Sequence, residues 1–261
     1  MKDTIARFSN RVANYVKYRP GYPAGVLELF RTEMRLTNHS VIADIGSGTG
    51  LSTRPFLENR NTVYGVEPNQ AMREAAEEYL KEFPNFVSHD GTAEHTNLAD
   101  ESVDFVTAAQ AFHWFDPDAS RNEFVRILRP GGYIALIWNE RQLDTTEFLR
   151  DYEKLLVKYA TDYGRVRHEN IDQEKLGDFF QTGFERATYS NEQVFDLEGL
   201  RGRLLSSSYM PAETDPAFPE LEKDLSGVFA KHAENGKIKI FYDTNIYFKS
   251  IKEAVNYKYE R

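Results

Sequence analysis

The 261 residues are 41% hydrophobic and 13% aromatic, enough apolar material for a packed interior, which sets disorder aside except at the ends. A formal charge of −9 offers no broad basic surface to a nucleic-acid backbone, so no polynucleotide partner is expected. The absence of cysteine excludes disulfides, thiolate nucleophiles and zinc–thiolate sites, and six histidines without an i, i+4 pair predict no metal.

In chain order, Ile5, Phe8, Val12 and Tyr15 fall at helical spacing and predict an amphipathic helix over 4–15, with a second over 26–34. Residues 1–19 lack the apolar core of a secretory signal, and no run nears the roughly 18 apolar residues of a membrane span. The expectation is a cytoplasmic protein with no membrane partner. Short β-branched runs at 40–45 and 61–66 read as buried strands. Between them 52–58 reads as a helix that tolerates Pro55 in its opening turn. Residues 69–83, rich in Ala and Glu behind an Asn69 N-cap, read as another helix. Strands are expected at 86–88, 103–108 and 133–138, with a helix over 118–128. Arg129, Pro130, Gly131 and Gly132 predict a type II turn before the last of these strands.

Beyond Glu140 the pattern turns to helices at 145–163, 173–180, 197–205 and 218–235. Two aromatic and β-branched segments, 184–195 and 237–248, are expected to pair antiparallel at one edge of the sheet. The whole predicts an α/β fold: a Rossmann-like, doubly wound, mostly parallel seven-stranded sheet with an antiparallel C-terminal edge. With no repeat and no Gly/Ser linker, one domain is expected: N-terminal lid helices over 1–35, a cofactor-binding core over 36–140, and an elaboration over 141–261.

The chemistry concentrates in ADIGSGTG, residues 43–50, where a buried strand gives way to a helix. In open α/β sheets ligands sit at the carboxyl ends of strands, and Gly46, Gly48 and Gly50 allow close backbone approach. Glu67 ends the second strand ~20 residues on, the distance at which an acid accepts hydrogen bonds from ribose hydroxyls. Together they suggest a nucleoside site. A dinucleotide fingerprint wants a third glycine where this chain has Leu51, and a P-loop wants a Lys that is missing.

The ordered motifs ADIGSGTG, VYGVEPNQAM, HDGTAE, AAQAFHWFD and LRPGG resemble the class I S-adenosylmethionine (SAM)-dependent methyltransferases. The likeness is to the small-molecule, methyltransferase type 11-like subgroup, which includes ubiquinone, menaquinone and trans-aconitate methyltransferases. NYVKYRPGYP and GLRGRLLSSSY resemble a subset of that family whose substrates are unassigned. The resemblance implies SAM as cofactor, with Asp44, Gly46, Ser47, Gly48 and Gly50 around its amino-acid part and Glu67 on its ribose. It implies that Pro68 and Met72 pack on ribose and adenine, that Thr92, Ala93 and Glu94 line the adenine edge, and that Asp90 is an adenine partner. Simple helix packing is the alternative for Met72.

By the same resemblance Gln110 lies beside the methionine portion, and His113 and Trp114 stand at the pocket mouth, His113 being the candidate base. Arg19, in the aromatic segment with Tyr15, Tyr18 and Tyr22, is a candidate partner for the methionine carboxylate within a lid. Arg201 and Arg203 suit a carboxylate clamp on the acceptor, against the plainer reading of solvent-facing helix arginines. The expected function is methyl transfer from SAM to a small-molecule acceptor. Its alternatives are an NAD-dependent oxidoreductase and a non-catalytic SAM-binding module.

Overall fold

In the computed structural model, which describes residues 16–160, 173–207 and 209–251, the β-branched runs form strands β1 (Val41–Ile45), β2 (Thr62–Val66), β3 (Phe86–His89) and β4 (Val103–Ala109). They are followed by β5 (Leu128–Arg141), β6 (Glu185–Phe195) and β7 (Ile238–Ser250). All seven join one sheet in the order β3-β2-β1-β4-β5-β7-β6. Neighbours from β3 to β5 run parallel. β7 runs antiparallel to both β5 and β6, so the pair expected at the C-terminal edge forms there with β7 on its inner side. The helix expected over 4–15 lies outside the described residues.

The helices are α1 (Ala24–Thr32), α2 (Arg54–Glu58), α3 (Gln70–Tyr79), α4 (Pro117–Ile127), α5 (Glu147–Tyr159), α6 (Gln173–Phe180), α7 (Leu197–Leu205) and α8 (Phe218–His232). Side-chain alternation along the strands sorts them onto two faces. Ile42, Val63, Phe105, Ala135 and Ile137 pack with α1 and α2 on one face. Ala43, Ile45, Val106, Leu136 and Trp138 pack with α4 and α6 on the other. Each fully buried Val, Leu, Ile or Phe among them contributes about 1.5–3 kcal/mol, so a slip of one residue in register would exchange core for solvent along the strand. A third apolar cluster joins α5, α7 and α8 to the start of β7 through Ile238, Ile240 and Tyr242.

Local chemistry sets the ends. Asn69 caps α3 by accepting from the Met72 N–H, and Asp116, Thr146 and Asp196 cap α4, α5 and α7 in the same way. Each such cap stabilises by about 1 kcal/mol. Two details differ from the sequence expectation. β5 starts at Leu128 and carries the Arg129–Gly132 segment within it as an irregularity against β4, with Gly131 at φ 82° as a type II turn requires. The helix expected to reach 235 stops at His232, because Asn235 and Gly236 both take positive φ between the bridged residues Glu234 and Lys237. An Asn-Gly pair is the strongest short-range turn signature, and it starts β7.

β1 and β4 are neighbours, and the chain leaves them toward opposite edges of the sheet. That arrangement opens a crevice at their carboxyl ends, where ligands of such sheets bind.

Candidate functional site

The segment that leaves β1 is shaped from beneath by Asp44. Its carboxylate is fully buried and accepts from the hydroxyls of Ser52 and Thr53 at 2.7 Å each, and from Thr107 of β4 at 3.0 Å. Burial raises the Asp44 pKa, with the three hydroxyls working against that rise. Asp44 therefore fixes the loop to β4 and does not itself face the crevice.

Three glycines of the loop have positive φ, but they serve different ends. A Cβ on Gly46 would lie 2.7 Å from Ala111 Cβ, and one on Gly50 would lie 2.6 Å from a Leu80 methyl. Those two are required by the protein's own packing, whereas a Cβ on Gly48 would meet nothing within 4 Å. Of the three, only Gly48 has an open Cβ position. Ser47 is buried, and its N–H joins that of Gly46 on the Val66 carbonyl, which ties the loop to the end of β2.

Glu67 closes the other side. Its carboxylate accepts from the Gly48 N–H at 3.1 Å and the Asn69 N–H at 2.9 Å, so it spans from β2 to the glycine loop. Burial raises its pKa, opposed by those two N–H groups and by the charge of Arg73. Arg73 donates to the Glu67 carbonyl and pairs with Asp90, so Asp90 already has a partner within the protein. Pro68 is half-buried, and Met72 is buried yet stands outside the three main apolar clusters.

Thr92, Ala93 and Glu94 follow β3, where the Thr92 N–H and the His95 carbonyl close a turn. The Glu94 carboxylate accepts from the Asp116 N–H and holds this turn beside the start of α4. Gln110, directly after β4, is left-handed at φ 55°, a conformation that strains a non-glycine residue by roughly 1–2 kcal/mol. Its amide donates to the Asn139 carbonyl, while its Oε1 is buried without a partner among the described residues, as is Thr49 Oγ1. His113 lies exposed on a 3-10 turn, Phe112–Trp114, its ring centre 4.4 Å from that of Trp114.

The structure thus brings Asp44, the glycine loop, Glu67 and Gln110 to neighbouring strand ends. Arg19 donates from its Nη2 to the Ser206 carbonyl at 2.9 Å, past the end of α7. The same N-terminal stretch lays Tyr18 against Gly202 and is pinned by Asn139 and Asn191, whose amides both donate to the Gly21 carbonyl. Asn139 went unremarked in the sequence, although a polar side chain at the end of the apolar run IALIW was a visible cue.

Arg201 and Arg203 divide. Arg201 pairs with Glu213 and Glu222 at the surface, the plain reading. Arg203 departs from that reading, because it is 7% exposed and its hydrogen-bond partners are hydroxyls: Tyr242 at 3.2 Å, Ser207 at 3.1 Å and Ser206 at 3.4 Å. Burial acts against its charge, but Tyr242, Tyr152 and Tyr209 hold its pKa above the ordinary value. The C-terminal end of α7 contributes about 0.3–1 kcal/mol to a cation there, against several kcal/mol for desolvating the charge.

A family profile described as a methyltransferase domain matches residues 43–136. The chain is 35% identical over 159 residues to an uncharacterized methyltransferase-like protein of Schizosaccharomyces pombe, covering 60% of each. It is 35% identical over 201 residues, 77% of each chain, to a second uncharacterized methyltransferase of that yeast. The match therefore spans about three-fifths of the first relative's length and about three-quarters of the second's. Among solved structures, a candidate type II methyltransferase from Anaeromyxobacter dehalogenans superposes with a TM-score of 0.65 at 20% identity, over 89% of this chain and 98% of that one. A SAM-dependent methyltransferase from Aquifex aeolicus gives 0.53 at 15% identity, over 92% and 97%. At those identities the likeness is one of fold.

Proposed function

The chain belongs to the class I SAM-dependent methyltransferase family, and from that premise we propose that it moves the methyl group to a small-molecule acceptor. The observation that carries the reading is the span of Glu67 from β2 to the Gly48 N–H, beside the one loop glycine whose Cβ position is open. An ionised carboxylate has about four acceptor positions, and Glu67 uses two on backbone N–H groups, leaving two for a ribose diol. Gln110 Oε1 and Thr49 Oγ1, buried and unpartnered among the described residues, suit the polar amino-acid part of the ligand. Met72 and Pro68 would flank the adenosyl group from the start of α3, and the turn at Thr92, Ala93 and Glu94 its adenine edge. Asp44 contributes by holding the loop in shape, and Arg19 by securing the segment that crosses α7.

When bound, SAM supplies a methyl group already activated on a sulfonium, so this chain's task is to orient the acceptor in line with it. We assign to His113, exposed beside Trp114, the removal of a proton from a phenol, thiol or alcohol, whereas a carboxylate acceptor would need no such help. We assign residues 36–140 to the cofactor, and the N-terminal segment with the later helices to the acceptor, within one domain. Among the described residues no helix is long and apolar enough to cross a membrane.

A thermal-shift comparison of SAM, S-adenosylhomocysteine and NAD tests the cofactor half. The two adenosyl ligands should raise the melting temperature and NAD should not. Incubation with SAM and a metabolite pool, read by mass spectrometry for the gain of one methylene, tests transfer itself. Stabilisation by NAD alone would overturn the reading.

A further inference from the structure

Arg203 is a buried cation with no acidic partner among the described residues. Its Nε and Nη1 donate to hydroxyls of Tyr242, Ser206 and Ser207, and these bonds leave Nη2 without a hydrogen-bond partner among the described residues. The neighbouring buried cation, Arg141, is already paired with Glu153. Arg141 and Tyr242 are paired in register on β5 and β7, at the carboxyl end of β5. Gln110 reaches that same strand end by donating to the Asn139 carbonyl, so Arg203, bonded to Tyr242 of β7, stands at the same end of the sheet as Gln110, on the side away from the glycine loop. Ser206 accepts from Arg19 and Gly202 receives Tyr18, which places the N-terminal segment over the same corner.

We propose that Arg203, held by the hydroxyls of Tyr242 and Ser207, is a subsite that binds a carboxylate of the methyl acceptor. The inference rests on the methyl-transfer reading and narrows its substrate class. Charge balance selects a carboxylate over a phosphate: one guanidinium, without an acidic partner among the described residues and set among neutral hydroxyls, neutralises one negative charge, and a phosphate dianion would bring a second to the same group. A guanidinium whose Nη2 has no hydrogen-bond partner among the described residues also matches two coplanar oxygens, and the Tyr242 hydroxyl, which donates to Gln193 Oε1 at 2.8 Å, holds the fork in place.

The test titrates the full-length protein by calorimetry, with and without S-adenosylhomocysteine, using benzoate, phenylacetate and glutarate, each beside its amide, and inorganic phosphate. At least one carboxylate should bind tenfold or more tightly than its amide and more tightly than phosphate. Arg203→Met should erase that preference, and Arg203→Lys should keep part of it, while SAM affinity changes less than twofold in both. The melting temperature of Arg203→Met without carboxylate should equal or exceed the parent's, because a solitary buried charge has been removed. The proposal is overturned by equal binding of carboxylates and amides, by tighter binding of phosphate, or by a preference that survives Arg203→Met. A large drop in melting temperature for that variant would also overturn it, since the chain itself would then be satisfying the charge. Failure of SAM to bind counts against the methyl-transfer reading and leaves the carboxylate result readable in the protein without nucleoside.

Discussion

Glu67 is held in a compromise: its carboxylate is drawn inward by two backbone N–H groups and simultaneously desolvated, with a net rise in pKa. A raised carboxyl pKa means that the folded chain holds the proton more tightly than the unfolded one. Its contribution to stability is therefore present at low pH and lost as pH rises through the folded value. Asp44, raised by burial, acts in the same direction. Glu67→Gln has no proton to lose, so urea unfolding across acid to neutral pH should show a flatter decline than the parent. Ligand affinity should run the opposite way. SAM should bind the parent less tightly as pH falls through the Glu67 pKa, because a protonated carboxyl accepts fewer hydrogen bonds. At neutral pH Glu67→Gln should weaken SAM about 10–100-fold by calorimetry, the worth of about 1.5–3 kcal/mol for hydrogen bonds to a charged group.

At the scale of elements, the turn after β1 separates two uses of glycine. Gly46→Ala forces a Cβ against Ala111 at positive φ and should cost about 1–3 kcal/mol in urea unfolding. Gly48→Ala meets open space and should cost folding only about 1 kcal/mol. It should nevertheless weaken SAM binding at least tenfold, because its methyl takes ligand volume; unchanged affinity would remove Gly48 from the pocket. The N-terminal segment makes a comparable case. Tyr18 lies on Gly202 and the Gly21 carbonyl holds two asparagine amides, so residues 16–23 are built onto β5, β6 and α7. Deletion of the first 24 residues should weaken SAM binding and lower the melting temperature by several degrees. Retained affinity would reduce the segment to packing.

Across the whole molecule, the sequence by itself determined the fold class, the order of strands and helices, and the glycine turn and acid at neighbouring strand ends. These rest on local pattern and on residues that signal without neighbours: the short apolar run of β1, the Asn69 cap, the glycines after Ile45, and Glu67 at the end of β2. The extent of β5 was less legible, because an Arg-Pro-Gly-Gly turn can sit inside a ladder whose partner strand tolerates a register shift. Only the tertiary structure decided that Gly46 and Gly50 serve packing while the Gly48 Cβ position is open, that Asp44 works from beneath, and that Arg203 is buried while Arg201 is not. Each of those distinctions depends on contacts between positions far apart in the chain: Gly46 with Ala111, Asp44 with Thr107, Arg203 with Tyr242. Two arginines on one short helix look alike in a sequence, and they differ only in which strands and loops close over them.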